Sequence, residues 1–334
     1  RAGEDALVVG MQCVQGGGKT SLVEALEVLF DADPAGARVC VGASIDDFYL
    51  PRAELDVVAA EHAANPLLQV RGLPGTHDMR LCVGTVRSLR SAARDGACVR
   101  VPRFDKTAFG GRGDRRPLSE WREVRGAVDI VLIEGWCLGF TSAASMAPAS
   151  APAPLAPDVS AALASPYLQP VDAALRDGSD GGFLSLYSEL DALLVVRVGH
   201  PAAVYGWREE AEAAARAAGR GAMSAEEVGR FCDRYMPAYR QYLAALYEGY
   251  DSARGEGRED AAVCPRRPQL QFTVDAKRAP LAEGSAASVH SAAAPGSATA
   301  KRAVRAAAGL DAPASLRERA ERAFSAASAA DDSA

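Results

Sequence analysis

The chain has 334 residues, 49% of them apolar, and a formal net charge of -6. That length suffices for one large α/β domain with additions, or for two domains. The acidic balance argues against a nucleic-acid surface as the main business, and no run approaches the roughly eighteen apolar residues of a membrane span. The seven cysteines are scattered, with no C-x-x-C pair, which fits reduced thiols better than a disulfide frame or a zinc site. The chain opens on Arg1 and not Met, as a processed or truncated form would.

Ala6-Leu7-Val8-Val9 reads as a buried strand, and Ser21 to Phe30 as a buried helix. Between them lies Gly10-Met11-Gln12-Cys13-Val14-Gln15-Gly16-Gly17-Gly18-Lys19-Thr20-Ser21. Strand, glycine turn, Lys-Thr, helix is the setting of a phosphate-binding loop. Gly16, Gly17 and Gly18 allow φ > 0 and bring bare N–H groups to a polyphosphate, together with Gln15 and Ser21. The helix directs its positive end at the same anion. Lys19 would reach the β- and γ-phosphates and the Thr20 hydroxyl would hold Mg²⁺. The plainer reading is an ordinary strand-to-helix turn. The pattern G-x-x-x-x-G-K-[ST] would place its first glycine at Cys13.

A second strand, Arg38 to Ile45, ends in Asp46-Asp47-Phe48-Tyr49-Leu50-Pro51. Carboxylates at the carboxyl end of a parallel strand face the ligand crevice. Asp46, in preference to Asp47, is the candidate base for a substrate hydroxyl; the alternative is a capping aspartate. After a helix over Ala53–Ala63 comes a Gly- and Pro-rich loop carrying Arg71, His77 and Asp78, a candidate substrate clamp. Otherwise Asp78 caps the next helix, which runs to about Arg94, and His77 is a surface residue.

The short strand Cys98–Pro102 leads into the densest basic loop of the chain, with Arg103, Lys106, Arg112, Arg115 and Arg116 among glycines. Such a loop suits an anionic substrate, or is a solvated face. Asp129–Trp136 is an apolar strand ending in Glu134, the candidate acid for reaching Mg²⁺. Thr141–Asp180 turns to Ala, Ser and Pro and reads as a low-complexity insertion, mobile in its first half. Order resumes at Phe183 and the strand Ala192–Val198. A helix from Pro201 to about Ala218 presents Arg208 and Arg216, with Arg220 just beyond, as candidate lid arginines or as solvated charge paired with Glu209, Glu210 and Glu212. Ser224-Ala225-Glu226-Glu227 is a capping box opening a long helix whose aromatic stripe, Phe231, Tyr235, Tyr239 and Tyr242, reads as core. Gln269–Val274 is a last strand. Residues 1–280 thus read as one kinase-like domain and 281–334 as an Ala/Ser-rich extension, flexible or partly helical over 300–327.

Together, Gln15–Thr20, Ser44–Leu50, Asn65–Gln69, Gly75–Asp78, Val101–Lys106, Gly111–Arg115, Glu134–Trp136 and Arg234–Tyr239 resemble D-glycerate 3-kinase of the plant and fungal type. That family is related to the pantothenate, uridine and phosphoribulo-kinases. The resemblance covers about Leu7 to Pro280. It implies a three-layer α/β/α fold with a mainly parallel sheet. It also implies ATP- and Mg²⁺-dependent phosphorylation of D-glycerate on its 3-hydroxyl, in photorespiration and in the chloroplast stroma for a plant or algal protein, or otherwise in the cytoplasm. Asp46 would be the base and His77 and Asp78 would border the substrate. Arg71, Arg103, Lys106 and Arg112 would be available for the carboxylate. Cys13 departs from the expected Gly or Ala, and a thiol beside the phosphates suggests block of ATP by oxidation or alkylation. A kinase for another acceptor, such as pantothenate or a nucleoside, and a non-catalytic nucleotide-binding scaffold are the alternatives. A GTPase-like switch lacks the Asn-Lys-x-Asp guanine signature.

Overall fold

A computed structural model describes residues 5–32, 38–95, 98–142, 166–219, 221–252, 269–281 and 290–292. The sheet is built on strands β1 (Leu7–Gln12), β2 (Cys40–Ser44), β7 (Ile130–Gly135), β8 (Ala192–Val198), β9 (Gln269–Val274) and β10 (His290–Ala292), in the order β10-β9-β8-β1-β7-β2. All neighbours pair parallel except β10, which runs antiparallel to β9. Central strands of this kind are apolar on both faces because helices cover both. Val8, Val131, Ile133, Leu193 and Val195 point into one core cluster, and Val9, Ile130, Leu132, Ala192 and Leu194 into the other. On the second face, helix α1 (Lys19–Asp31) contributes Val23, Leu26 and Phe30. On the first lie α3 (Met79–Asp95), with Cys82, Val83, Val86 and Leu89, and α5 (Phe183–Glu189), with Phe183 and Leu186. The molecule is therefore the expected three-layer α/β/α fold.

Helix α2 (Arg52–Glu61) precedes the Asn65–Gln69 block, which is a scaffold for its own loop. Gln69 Nε2 donates to the carbonyls of Ala59, His62 and Asn65 at 3.3, 2.8 and 2.9 Å. The basic stretch that follows is more structured than expected. Strands β3 (Cys98–Val101) and β6 (Arg122–Arg125) pair antiparallel, and β4 (Phe104–Asp105) and β5 (Asp114–Arg115) form a second small ribbon. Charged sequence hides β6, since Val124 is its one buried residue.

Residues 143–165 lie outside the described residues, but the rest of the Ala/Ser/Pro insertion is built into the fold. Its helix α4 (Gln169–Leu175) buries Val171 and Leu175. Ser142 Oγ donates to Asp172 Oδ2 at 2.6 Å and the Tyr242 hydroxyl to Asp172 Oδ1 at 3.3 Å. After α6 (Ala203–Ala217), the expected long helix is two: α7 (Ala225–Asp233) and α8 (Met236–Ser252). The break falls before Pro237, whose ring and missing N–H suit the first turn of a helix and not its middle. The capping box is present, with Ser224 Oγ accepting from Glu227 N and Glu227 Oε2 from Ser224 N. Tyr235, Tyr239 and Tyr242 are core residues, as expected. Arg220 and the stretch 300–327 lie outside the described residues.

Candidate active site

The phosphate-binding loop closes the carboxyl end of β1. Gly16 and Gly18 hold φ of +75° and +82°, the left-handed region that side chains rarely adopt. Gly17 is glycine for a different reason: an added Cβ would fall on Cys13 Sγ. Cys13 thus fills the space beside Gly17. Its thiol is fully buried, and burial pushes it up to about 11 against the pull of Lys19. That corrects the expectation of a reactive thiol, because the thiolate is the nucleophile. Exposed Cys98 should alkylate in the native protein at neutral pH while Cys13 stays unlabelled. Peptide mass spectrometry after iodoacetamide would show this, and equal labelling of both would refute it.

Gly18 is the N-cap of α1 and offers no side chain to its first amides, so these remain for an anion. The Gln15 N–H donates to the Tyr239 hydroxyl at 3.0 Å and the Gly17 N–H to Val14 O at 3.2 Å, so two loop amides are held by the protein itself. Lys19 Nζ donates to the same Val14 carbonyl at 3.2 Å. The Thr20 hydroxyl donates to Glu134 Oε1 at 3.1 Å. Glu134 is 5% exposed and sits in register with Met11 on one side and Ser44 on the other. A hydroxyl and a carboxylate are hard oxygen donors of the type Mg²⁺ takes. Among the described residues no group of three or more His, Cys, Asp or Glu side chains is placed to hold a metal ion.

Two residues past β2, Asp46 stands at the same sheet edge. A short helical turn, Ile45–Phe48, starts there, with Ser44 Oγ accepting from Asp46 N. Asp46 Oδ1 accepts from the Tyr49 hydroxyl at 2.9 Å, and Lys106 Nζ lies 3.0 Å from Oδ2. Burial pushes the Asp46 carboxyl up, but the Lys106 ammonium and the Tyr49 hydrogen bond outweigh it and hold the group at about 2. Asp47 has a structural role instead, accepting from Phe104 N at 3.1 Å and fixing the start of the basic loop. The turn is zipped to the Gly-Thr-His-Asp block, with Leu50 N donating to Thr76 O and Asp78 N to Phe48 O.

No family model matches the chain. A chloroplastic D-glycerate 3-kinase of Arabidopsis thaliana is 39% identical over 72% of this chain, which spans about half (48%) of that relative's length. A kinase of Schizosaccharomyces pombe, described as uncharacterized, is 32% identical over 72% of this chain and 82% of its own. A probable ATP-dependent kinase of Saccharomyces cerevisiae is 35% identical over 62% and 68%. Among solved structures, D-glycerate 3-kinase from Cryptococcus neoformans superposes with a TM-score of 0.67 and the YGR205w protein with 0.62. Each is 26% identical, covering 83% of this chain and 89% of the other. The chain belongs to the D-glycerate 3-kinase family of P-loop kinases.

In this family member several expected ligand cations are already engaged. Arg71 donates to the carbonyls of Gly111, Arg112 and Lys106 and lies over the Phe104 ring, so it ties down the basic loop. Arg112 pairs with Asp56 at 2.9 Å. Both therefore already have partners in this structure, from α2 and from the loop's own backbone. Arg208 pairs with Glu212 and lies over Phe231, and Arg216 pairs with Glu209 at 2.6 Å and Met223 O at 2.7 Å. Both make the pairs within the helix that the solvated-charge alternative describes. Asp78 caps α3 through Leu81 N at 3.0 Å and binds Arg115 at 3.0 Å. His77 is buried, contrary to the surface alternative, and packs on Tyr49 with ring centroids 4.5 Å apart. Burial lowers its pKa to about 4 against the opposing influence of Asp46 and of a backbone hydrogen bond at Leu73, so the imidazole is neutral at neutral pH. Arg103 is exposed, and its charge is felt at Asp47.

Sequence reasoning missed three site residues. Tyr49 and Arg115 lie inside the blocks that carry the family resemblance, but neither has a role there that the sequence assigns. Arg278, which donates to Gly16 O at 2.7 Å, is 262 residues distant in sequence, and no local pattern marks it.

Proposed function

We propose that the chain transfers the γ-phosphoryl group of ATP to the 3-hydroxyl of D-glycerate, giving 3-phospho-D-glycerate and ADP. The observation that carries this is Asp46, held between Lys106 and Tyr49 at the sheet edge that also presents the phosphate loop. The name of the Arabidopsis relative and that of the Cryptococcus structure support the choice of acceptor.

Asp46 is ionised at neutral pH and accepts the hydrogen bond of the 3-hydroxyl. The O3–P bond forms as the bond from the γ-phosphorus to the bridging oxygen breaks, and the hydroxyl proton passes to Asp46. A carboxylate of such low pKa is a weak base, so its first contribution is to orient the hydroxyl, and it takes the proton late, as a loose transition state allows. Lys106 is 59% exposed on its outer side and can meet the substrate carboxylate there, with Arg103 nearby. The neutral His77 packs on Tyr49 and so backs the hydroxyl that orients Asp46. Lys19 and the α1 amides bind the polyphosphate. Thr20 and Glu134 would hold Mg²⁺, which would neutralise charge on the polyphosphate when bound. The plant relative's name supports extending the reading to the chloroplast, while the photorespiratory role rests on the family resemblance.

ADP release with D-glycerate, pantothenate and uridine tests the acceptor. Turnover with D-glycerate alone is expected; preference for either of the others would replace this reading. Lys106→Met is expected to raise KM for glycerate about 10- to 100-fold, the loss of one charged hydrogen bond of about 1.5–3 kcal/mol, with KM for ATP little changed. The sign of its pH effect also follows. Without the ammonium, burial raises the Asp46 pKa, so the variant gains an acid limb in kcat that the wild type lacks. Superimposable pH profiles would contradict the pairing.

A further inference from the structure

Arg278 occupies a turn better suited to glycine or asparagine. It follows β9 in Asp275–Ala279, where Arg278 N donates to Asp275 O at 3.0 Å and Asp275 N to Ala279 O at 2.9 Å. Its φ is +64°, in the left-handed region that L side chains seldom adopt. A strained backbone of this kind persists only where its surroundings over-determine it. Here the side chain supplies the reason. Arg278 Nε donates to Gly16 O at 2.7 Å, Nη1 pairs with Glu210 Oε2 of α6 at 2.9 Å, and the guanidinium lies 4.9 Å from the centre of the Trp207 ring. Trp207 closes the arrangement. Its indole N–H donates to Ala276 O at 2.6 Å, and an added Cβ on Gly16 would come within 2.9 Å of its own Cβ. One side chain therefore joins the turn after β9, helix α6 and one of the two left-handed residues of the phosphate loop.

We infer that Arg278 is the positioning residue of the phosphate-binding loop, and that it sets affinity for the nucleoside triphosphate. A peptide unit has its C=O and N–H on opposite sides. Holding the Gly16 carbonyl on the guanidinium fixes that peptide plane and with it the Gly17 N–H on Val14 O, so the turn that leads into the α1 amides keeps its shape. Glu210 and the Trp207 face hold the guanidinium in its turn, and leave less to be ordered when the anion binds. The inference rests on the nucleotide half of the proposed function and not on the acceptor.

The test is calorimetric titration of the full chain with ATP and Mg²⁺, without glycerate, alongside thermal melts, for wild type, Arg278→Ala, Arg278→Gly and Arg278→Lys. Kd for ATP is expected to rise about tenfold or more in the Ala and Gly variants, as loss of a charged hydrogen bond implies. Lys should recover part of it, since an ammonium can still reach one carbonyl. Gly relaxes the left-handed turn, so it should melt above Ala yet bind ATP no better. A merely structural role would make affinity follow melting temperature across the series. That pattern, or Kd within twofold of wild type in both Ala and Gly, would overturn the inference. Wild-type protein that bound no ATP would overturn the nucleotide reading and this inference with it. Binding of ATP without turnover of glycerate would remove only the acceptor.

Discussion

Asp46→Asn should lower kcat for glycerate by about 10²- to 10⁴-fold, the range that a positioned general base contributes. The amide is nearly isosteric and can still accept from the Tyr49 hydroxyl, so the turn at Ile45–Phe48 should keep its shape. Lys106 loses its partner but is 59% exposed and can turn to solvent. The melting temperature should therefore move by only a few degrees. KM for ATP should hold, because Asp46 has no part in binding the polyphosphate. Steady-state kinetics with circular dichroism melts would decide the point. Near-normal kcat in a folded Asp46→Asn protein would reject the assignment, and a collapse of stability would show that the Lys106–Asp46 pair is structural.

Lys19→Ala should cost about 10²- to 10³-fold in kcat, the scale on which one preorganised donor to developing charge acts, and should also raise KM for ATP. The ammonium sits on Val14 O at 3.2 Å, at the loop that the α1 amides follow. Its loss removes one donor to that carbonyl, which keeps the Gly17 N–H at 3.2 Å, so the loop stays paired. An unchanged KM for ATP together with an unchanged kcat would leave the phosphate loop without a function.

The split between these two residues and the arginines marks where sequence reasoning stops. Lys19, Thr20, Asp46 and Glu134 were legible because each stands at a strand tip or helix start, and parallel strand tips share one edge of the sheet. The register of Glu134 with Met11 and Ser44 realises that placement. Arg71 and Arg112 were legible as charges but not as occupied ones, while pairing was one of the two readings of Arg208 and Arg216. Glu209 and Glu212 are near enough in sequence to warn of pairing, whereas Asp56 and the carbonyls of the basic loop meet their arginines only through the tertiary fold. The composition of the Thr141–Asp180 stretch also misled. Alanine and proline there obscured Val171 and Leu175, two buried positions one helical turn apart. For Gly17 the loop pattern named the residue correctly but for the wrong cause, since what excludes a side chain there is the Cys13 sulfur.

Acceptor and position are tested together by phosphorus–proton correlation NMR of the product formed from ATP and D-glycerate. Phosphorus coupled to the two methylene protons of carbon 3 is the predicted result, because the proposed reaction phosphorylates the terminal hydroxyl. Coupling to the single proton of carbon 2, or no organic phosphate beyond the nucleotides, would contradict it.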